Sequence, residues 1–258
     1  MQKLLLLTKV HSTDRGSFKR IQAELEDRLK DLTVIIQTIN IYDNGFIALT
    51  LEGEDEIAAR NYLSKLYGKA IPLEELKAGD TLKGFICSSG KVGFGLFVDI
   101  GIKEPYAVDA LIPLYTLREQ LVEGKKLPVR QLIELFGLID DCPLEITIQK
   151  VSIGLKKIEA RLSEKQMDLF RKWQEEGLER LLIIGERRDR IMNALEKTNH
   201  QKDIIEIEQL GWSEYALTCK FNTTARGLIP EIGKILPHAK FEIFSPAKIR
   251  KQLKAKSS

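Results

Sequence analysis

Two phenylalanines three positions apart, Phe94 and Phe97, lie in a glycine-punctuated stretch, Gly93-Phe94-Gly95-Leu96-Phe97-Val98-Asp99-Ile100-Gly101. Aromatic rings on an open surface bind nucleobases by stacking, which is worth about 1–3 kcal/mol per base whatever the sequence. A regular strand sends residues three apart to opposite faces. The pair can act together only if the backbone departs from regularity, and a bulge at Gly95 would do this. The alternative is that Phe94 belongs to the core and only Phe97 lies near the surface. Lys83, Lys91, Lys157 and Arg161 fall on flanking segments and would supply phosphate contacts.

Other chemistries find less support. The run Gly90-Lys91-Val92-Gly93-Phe94-Gly95 has neither the Walker lysine position nor the strand–loop–helix setting of a phosphate loop. Asp140-Asp141 lacks further ligands at suitable spacing, so it reads as a turn or strand cap rather than a metal site. Three cysteines (Cys87, Cys142, Cys219) and three histidines (His11, His200, His238) are scattered. That pattern argues against a disulfide framework and a cysteine zinc site, and for a reducing, cytoplasmic setting. No Ser-His-Asp, Cys-His or paired-carboxylate order stands out, so the expectation is a non-enzyme without metal or cofactor. Arg187, Arg188 and Arg190 read as a solvated helix start, with phosphate contact as the sharper alternative. Trp173 and Trp212 read as packing residues.

These side chains need a frame, and the chain can build one. Of 258 residues, 43% are hydrophobic and 30% charged, an ordinary globular mix that excludes extended disorder. Net charge is +3, so any nucleic-acid contact must come from local arrangement. No apolar stretch reaches the roughly 18–20 residues needed to span a bilayer. The start, Met1-Gln2-Lys3 and then Leu4–Leu7, is too short for a signal h-region and reads as a strand.

Phe18, Ile21, Leu25, Leu29 and Leu32 recur at helical steps. Val34–Ile41 and Phe46–Leu51 flank Asp43-Asn44-Gly45, where Asn-Gly predicts a type I′ hairpin with two positive φ angles. A helix over Glu54–Leu66 follows, and Ala70–Leu76 could add an edge strand, weakened by Pro72. Between 79 and 163 the rhythm becomes strand, glycine turn, strand. Five short strands (81–87, 92–100, 110–113, 144–151, 157–162), with a helix at 127–138, suggest a Greek-key barrel. A connecting helix spans 164–178. The order β (181–184), α (188–195), β (204–208), β (215–221), α (225–236), β (241–244) then gives a ferredoxin-like unit. Val34–Leu63 and Ile204–Leu236 repeat one order of elements. The basic ending, Lys248 through Lys256, reads as a frayed tail.

Gly79-Asp80-Thr81-Leu82-Lys83-Gly84-Phe85-Ile86, the central Gly93–Gly101 stretch, Asp109-Ala110-Leu111-Ile112-Pro113 and Ile158-Glu159-Ala160-Arg161-Leu162-Ser163 together resemble the S1-type RNA-binding domain, an OB-fold. The resemblance covers about a third of the chain. It implies that aromatics at the positions of Phe94 and Phe97, and a basic residue at that of Arg161, contact RNA. Two departures stand out: Pro113 where the family often has a histidine, and a helical enlargement before the fourth strand. Beyond the barrel, Gly53-Glu54-Asp55, Ile207-Glu208-Gln209-Leu210-Gly211, Cys219-Lys220 and Gly227-Leu228-Ile229-Pro230-Glu231-Ile232-Gly233 are similar to an archaeal family of conserved proteins of unknown function.

The expectation is an α+β chain: a central S1-like OB-fold β-barrel (77–163) flanked by two ferredoxin-like α/β domains (1–76 and 179–246), with a connecting helix at 164–178 and a basic tail at 247–258. The expected function is non-enzymatic RNA binding in archaeal translation, transcription or RNA processing, with single-stranded RNA or a ribonucleoprotein as partner and no membrane. The competing expectation is a protein-interaction scaffold docking on a ribonucleoprotein or polymerase complex without touching RNA.

Overall fold

The computed structural model describes residues 3–11 and 15–254, without side chains for 15–17. Met1, Gln2 and the tail from Ala255, Lys256 included, lie outside the described residues.

The N-terminal unit runs β1 (Lys3–Lys9), α1 (Arg15–Leu29), β2 (Ile35–Ile41), β3 (Phe46–Glu52) and α2 (Glu56–Tyr67), with an antiparallel sheet ordered β1-β3-β2. Ile21, Leu25 and Leu29 return to one face of α1 and are buried against Leu6, Ile47 and Leu49. The β2–β3 hairpin forms, but not through the expected turn. Only Gly45 has positive φ (85°), and Gly45 N–H donates to Tyr42 O at 2.8 Å. This is a longer, type I-like loop with a left-handed glycine. Asn44 is thereby released to donate from Nδ2 to Asp99 of the next unit at 2.7 Å. The possible edge strand at 70–76 shrinks to a single bridge, Leu6 with Lys69, because Pro72 has no N–H to extend a ladder.

The middle unit is a closed barrel. Its strands are β4 (Thr81–Cys87), β5 (Gly95–Asp99), β6 (Ala110–Pro113), β7 (Pro143–Ser152) and β8 (Lys157–Leu162), ordered β4-β5-β6-β8-β7. β6 and β8 run parallel; the other pairs run antiparallel. Alternation fills the interior with Leu82, Ile86, Leu96, Val98, Ile112, Ile146, Ile158 and Leu162. Two helices, α3 (Leu114–Val122) and α4 (Val129–Phe136), stand between β6 and β7 where the spacing predicts one. α3 escapes the pattern because its two turns begin immediately after the strand residue Pro113.

Helix α5 (Glu164–Glu176) starts where Ser163 Oγ accepts from Gln166 N–H at 3.0 Å. The C-terminal unit follows: β9 (Arg180–Ile184), α6 (Arg188–Lys197), β10 (Ile204–Gln209), β11 (Glu214–Cys219), α7 (Ala225–Ile235) and β12 (Lys240–Phe244). Its antiparallel sheet is ordered β10-β11-β9-β12. The two outer sheets share a plan. In each, the third strand lies between the first and second, and the Leu6–Lys69 bridge occupies the side of β1 that β12 occupies on β9. The expected frayed tail is instead, up to Lys254, a helix, α8 (Pro246–Lys254). Ile249 is fully buried and Leu253 packs one turn later, so this basic segment is amphipathic and docks.

Each outer unit keeps an apolar cluster of its own, and a third, larger cluster crosses all three units. It joins Leu7 and Phe46, the barrel interior, Phe170 and Trp173 of α5, and Phe244 and Ile249. Polar contacts cross the same seams. Asp141, between α4 and β7, pairs with Lys9 of β1 at 3.0 Å and with Lys240 of β12 at 2.7 Å. His11 Nε2 meets Glu214 Oε1 at 2.6 Å. Asp140 accepts Ser89 N–H at 2.6 Å. The acidic pair thus orders a turn, as its bland reading expects, and also ties all three units together.

Candidate nucleic-acid interface

β5 carries the ring pair, but no bulge forms at Gly95. The β5–β6 register runs unbroken from Gly95 opposite Pro113 to Val98 opposite Ala110. The strand begins at Gly95, and Phe94 lies in the bend just before it, held by Leu114 N–H donating to Phe94 O at 2.8 Å. Leaving the strand, rather than kinking it, brings the rings together. Their centroids are 6.0 Å apart and the planes cross at 87°, an edge-to-face pair. Phe94 is 57% exposed, which sets aside its reading as a core residue, and Phe97 is half-buried. Gly95 is required here because a Cβ would stand 2.4 Å from Ile112 O and 2.7 Å from Leu111 Cδ1.

Register places the neighbours of Phe97. Cys87 lies opposite on β4 and Leu111 on β6, and Leu111 in turn lies beside Glu159 of β8. Lys157, Glu159 and Arg161 alternate along β8, so they share its outer face. Both cations are already engaged: Lys157 with Glu159 at 2.7 Å, Arg161 with Glu164 at 3.8 Å. Exposed pairs of this kind are worth about 0–1 kcal/mol, so a phosphate can displace them. Lys91 is exposed in the turn three residues before Phe94, with its N–H donating to Ser88 O at 3.2 Å.

Lys83 does not join this face. It lies opposite Glu145 of β7, four residues before Cys87 and therefore about 13 Å along β4 from the strand position facing Phe97. Its side chain lines clefts against α5 and the β10–β11 hairpin. Barrel closure separates residues that a linear reading groups. The reverse error concerns Tyr115, which the sequence reading passes over. It is 64% exposed at the start of α3, one residue beyond the Leu114–Phe94 hydrogen bond. The signal in the sequence is an aromatic two residues after the third strand.

The other side of the ring pair is acidic. Burial and the neighbouring Asp99 raise the Asp109 carboxyl, and burial together with Asp109 pushes the Cys87 thiol up to about 12. Burial likewise lifts Cys142 to about 12 and Cys219 to about 11. All three thiols stay protonated near neutral pH. Among the described residues, no group of three or more His, Cys, Asp or Glu side chains could hold a metal ion. The α6 arginines behave as a solvated face, with Arg187 paired to Asp189 at 2.7 Å and Arg190 to Glu186 at 3.3 Å. Among the described residues, no helix is long and apolar enough to cross a membrane.

The molecule is therefore an α+β protein with a closed five-stranded barrel between two sheet-bearing units, and the barrel carries an exposed Phe94 ring against a half-buried Phe97. The chain belongs to the DUF2110 family: its N-terminal domain model matches residues 3–72, its central domain 76–174 and its C-terminal domain 178–244. Comparison with curated proteins gives no match. Among solved structures, the K3L protein of vaccinia virus (Wisconsin strain) is 16% identical over 34% of this chain and 89% of its own, with a TM-score of 0.23. A Thermus thermophilus protein is 12% identical over 97% of this chain and 42% of its own, with a TM-score of 0.19. Neither likeness carries a functional argument.

Proposed function

We propose that this protein is a non-enzymatic RNA-binding protein whose S1-like OB-fold barrel holds single-stranded RNA on Phe94 and Phe97, in archaeal translation, transcription or RNA processing. The observation that carries the reading is the half-exposed Phe94 ring braced edge-on by Phe97 at the mouth of β5. A base stacks on the outer face of Phe94, and Lys91, Lys157 and Arg161 neutralise the flanking phosphates. Tyr115 extends the aromatic surface. The barrel order β4-β5-β6-β8-β7 supports the OB-fold assignment, and the order β10-β11-β9-β12 supports a ferredoxin-like C-terminal unit. The test is single-stranded RNA binding by the folded Phe94→Ala/Phe97→Ala variant, in which affinity is expected to fall.

A second reading has its own observation. Asp99, Asp109 and Glu159 border the rings, and Lys157 and Arg161 are ion-paired, so the face is close to neutral. That favours a protein-docking scaffold on a ribonucleoprotein or polymerase complex. Salt dependence separates the two, since phosphate contacts weaken steeply between about 50 and 200 mM salt and a mainly apolar contact does not.

A further inference from the structure

A polar cleft of about 270 Å3 lies where the three units meet, on the β4 side away from the ring pair. Its walls come from β1 (Thr8), α1 (Glu24, Arg28), α2 (Tyr67), β4 (Lys83) and the β10–β11 hairpin (Trp212). These groups leave donors unspent. Thr8 is 2% exposed, and its Oγ1 has no hydrogen-bond partner among the described residues. Tyr67 Oη is buried beside Arg28, whose charge and side-chain hydrogen bond act on its oxygen, and the hydroxyl hydrogen itself has no acceptor among the described residues. The Lys83 side chain has no hydrogen bond or ion pair among the described residues; Lys165, Glu214 and Glu145 act on it only through charge. Glu24 stands 3.8 Å from Arg28, and Glu214 is already taken by His11 at 2.6 Å.

Buried polar groups are nearly always paired, and each unpaired one costs stability. Two buried hydroxyls with undonated hydrogens and the half-buried, unpaired Lys83 ammonium line one cleft, a set complementary to an oxyanion. We propose that this cleft binds a phosphate group, supplied by inorganic phosphate or by a small phosphate monoester, with Lys83 and Arg28 as the cationic side and the Thr8 and Tyr67 hydroxyls as donors. The volume exceeds that of several waters at about 30 Å3 each, leaving room for an ester substituent beside the Tyr67–Trp212 ring pair. Burial lowers the affinity of Lys83 for its proton, and a bound anion relieves that cost.

The experiment is thermal unfolding of the full chain at fixed ionic strength, with inorganic phosphate, glycerol 3-phosphate or chloride added. Either phosphate species is expected to raise the wild-type midpoint by several degrees at a hundredfold excess over Kd, while chloride does not. A response to the ester alone identifies a monoester as the ligand. Lys83→Met and Thr8→Val are expected to unfold no lower than wild type without ligand, since each deletes an unsatisfied group, while losing at least tenfold in phosphate affinity. Tyr67→Phe removes one oxygen and repeats the test with the least risk to folding. No phosphate response in wild type, which means a water-filled cleft, or equal responses in wild type and all three variants overturns the site. RNA binding through Phe94 is unaffected by either result.

Discussion

Phe94 is the residue on which the account turns, because an exposed phenylalanine adds little to the fold that presents it. Phe94→Ala is expected to shift the urea midpoint hardly at all, by less than about 0.5 kcal/mol, as surface substitutions do. The same change is expected to weaken single-stranded RNA binding roughly five- to 150-fold, the range that one stacked base is worth. Gly95→Ala tests the opposite property. Its methyl would press on the Ile112 carbonyl at 2.4 Å, and overpacking against backbone is expected to cost about 1–3 kcal/mol, measured by denaturant titration. Both rings could be named from the sequence because aromatics and glycines are conspicuous. Their means of meeting could not, because whether a strand bulges at a glycine or starts at it depends on its pairing register, which the residues of β5 alone do not carry.

At the scale of elements, Asp141 is the clearest case of structure adding to sequence. Its two lysine partners lie 132 and 99 residues away, in separate units, beyond any local pattern. Burial alone would raise its carboxyl, but hydrogen bonds and charge from Lys240 and Lys9 outweigh this and hold it below the usual carboxylate range. A carboxyl so lowered stabilises the fold fully above the unfolded value near 3.8 and loses that contribution as pH falls below it. Asp141→Asn is expected to cost about 1–3 kcal/mol at pH 7, because it strands the 7%-exposed Lys9 ammonium. The variant is also expected to lose less stability than wild type between pH 6 and pH 3, as followed by urea midpoints across that range. Period and punctuation carry most elements: the connecting helix expected at 164–178, both outer ββα runs and all five barrel strands stand within a few residues of their expected places. α8 was misread because lysines dominate its composition, while the pair that docks it, Ile249 and Leu253, is only two residues long.

For the whole molecule, the apolar cluster that crosses all three units decides behaviour. Leu7 and Phe46 pack on the barrel, with the Phe46 and Phe85 rings 5.7 Å apart, and Phe244 and Ile249 close its other side. Calorimetry is therefore expected to record one cooperative transition. Removal of residues 3–72 is expected to leave a barrel that aggregates rather than folds, since Phe85 and its neighbours would face water. Separate, independent transitions would contradict coupling through that cluster. With a net charge of only +3, any RNA contact rests on a few placed side chains, and the ring pair is such a local arrangement.

The most direct measurement is a fluorescence anisotropy titration of labelled single-stranded RNA with the full chain. Wild type is compared with the Phe94→Ala/Phe97→Ala variant at about 50 and 200 mM salt, with circular dichroism confirming that the variant is folded. The account predicts saturable wild-type binding that weakens with salt, and a loss of at least tenfold in the folded variant. Unchanged affinity in that variant, or no wild-type binding at low salt, would contradict it.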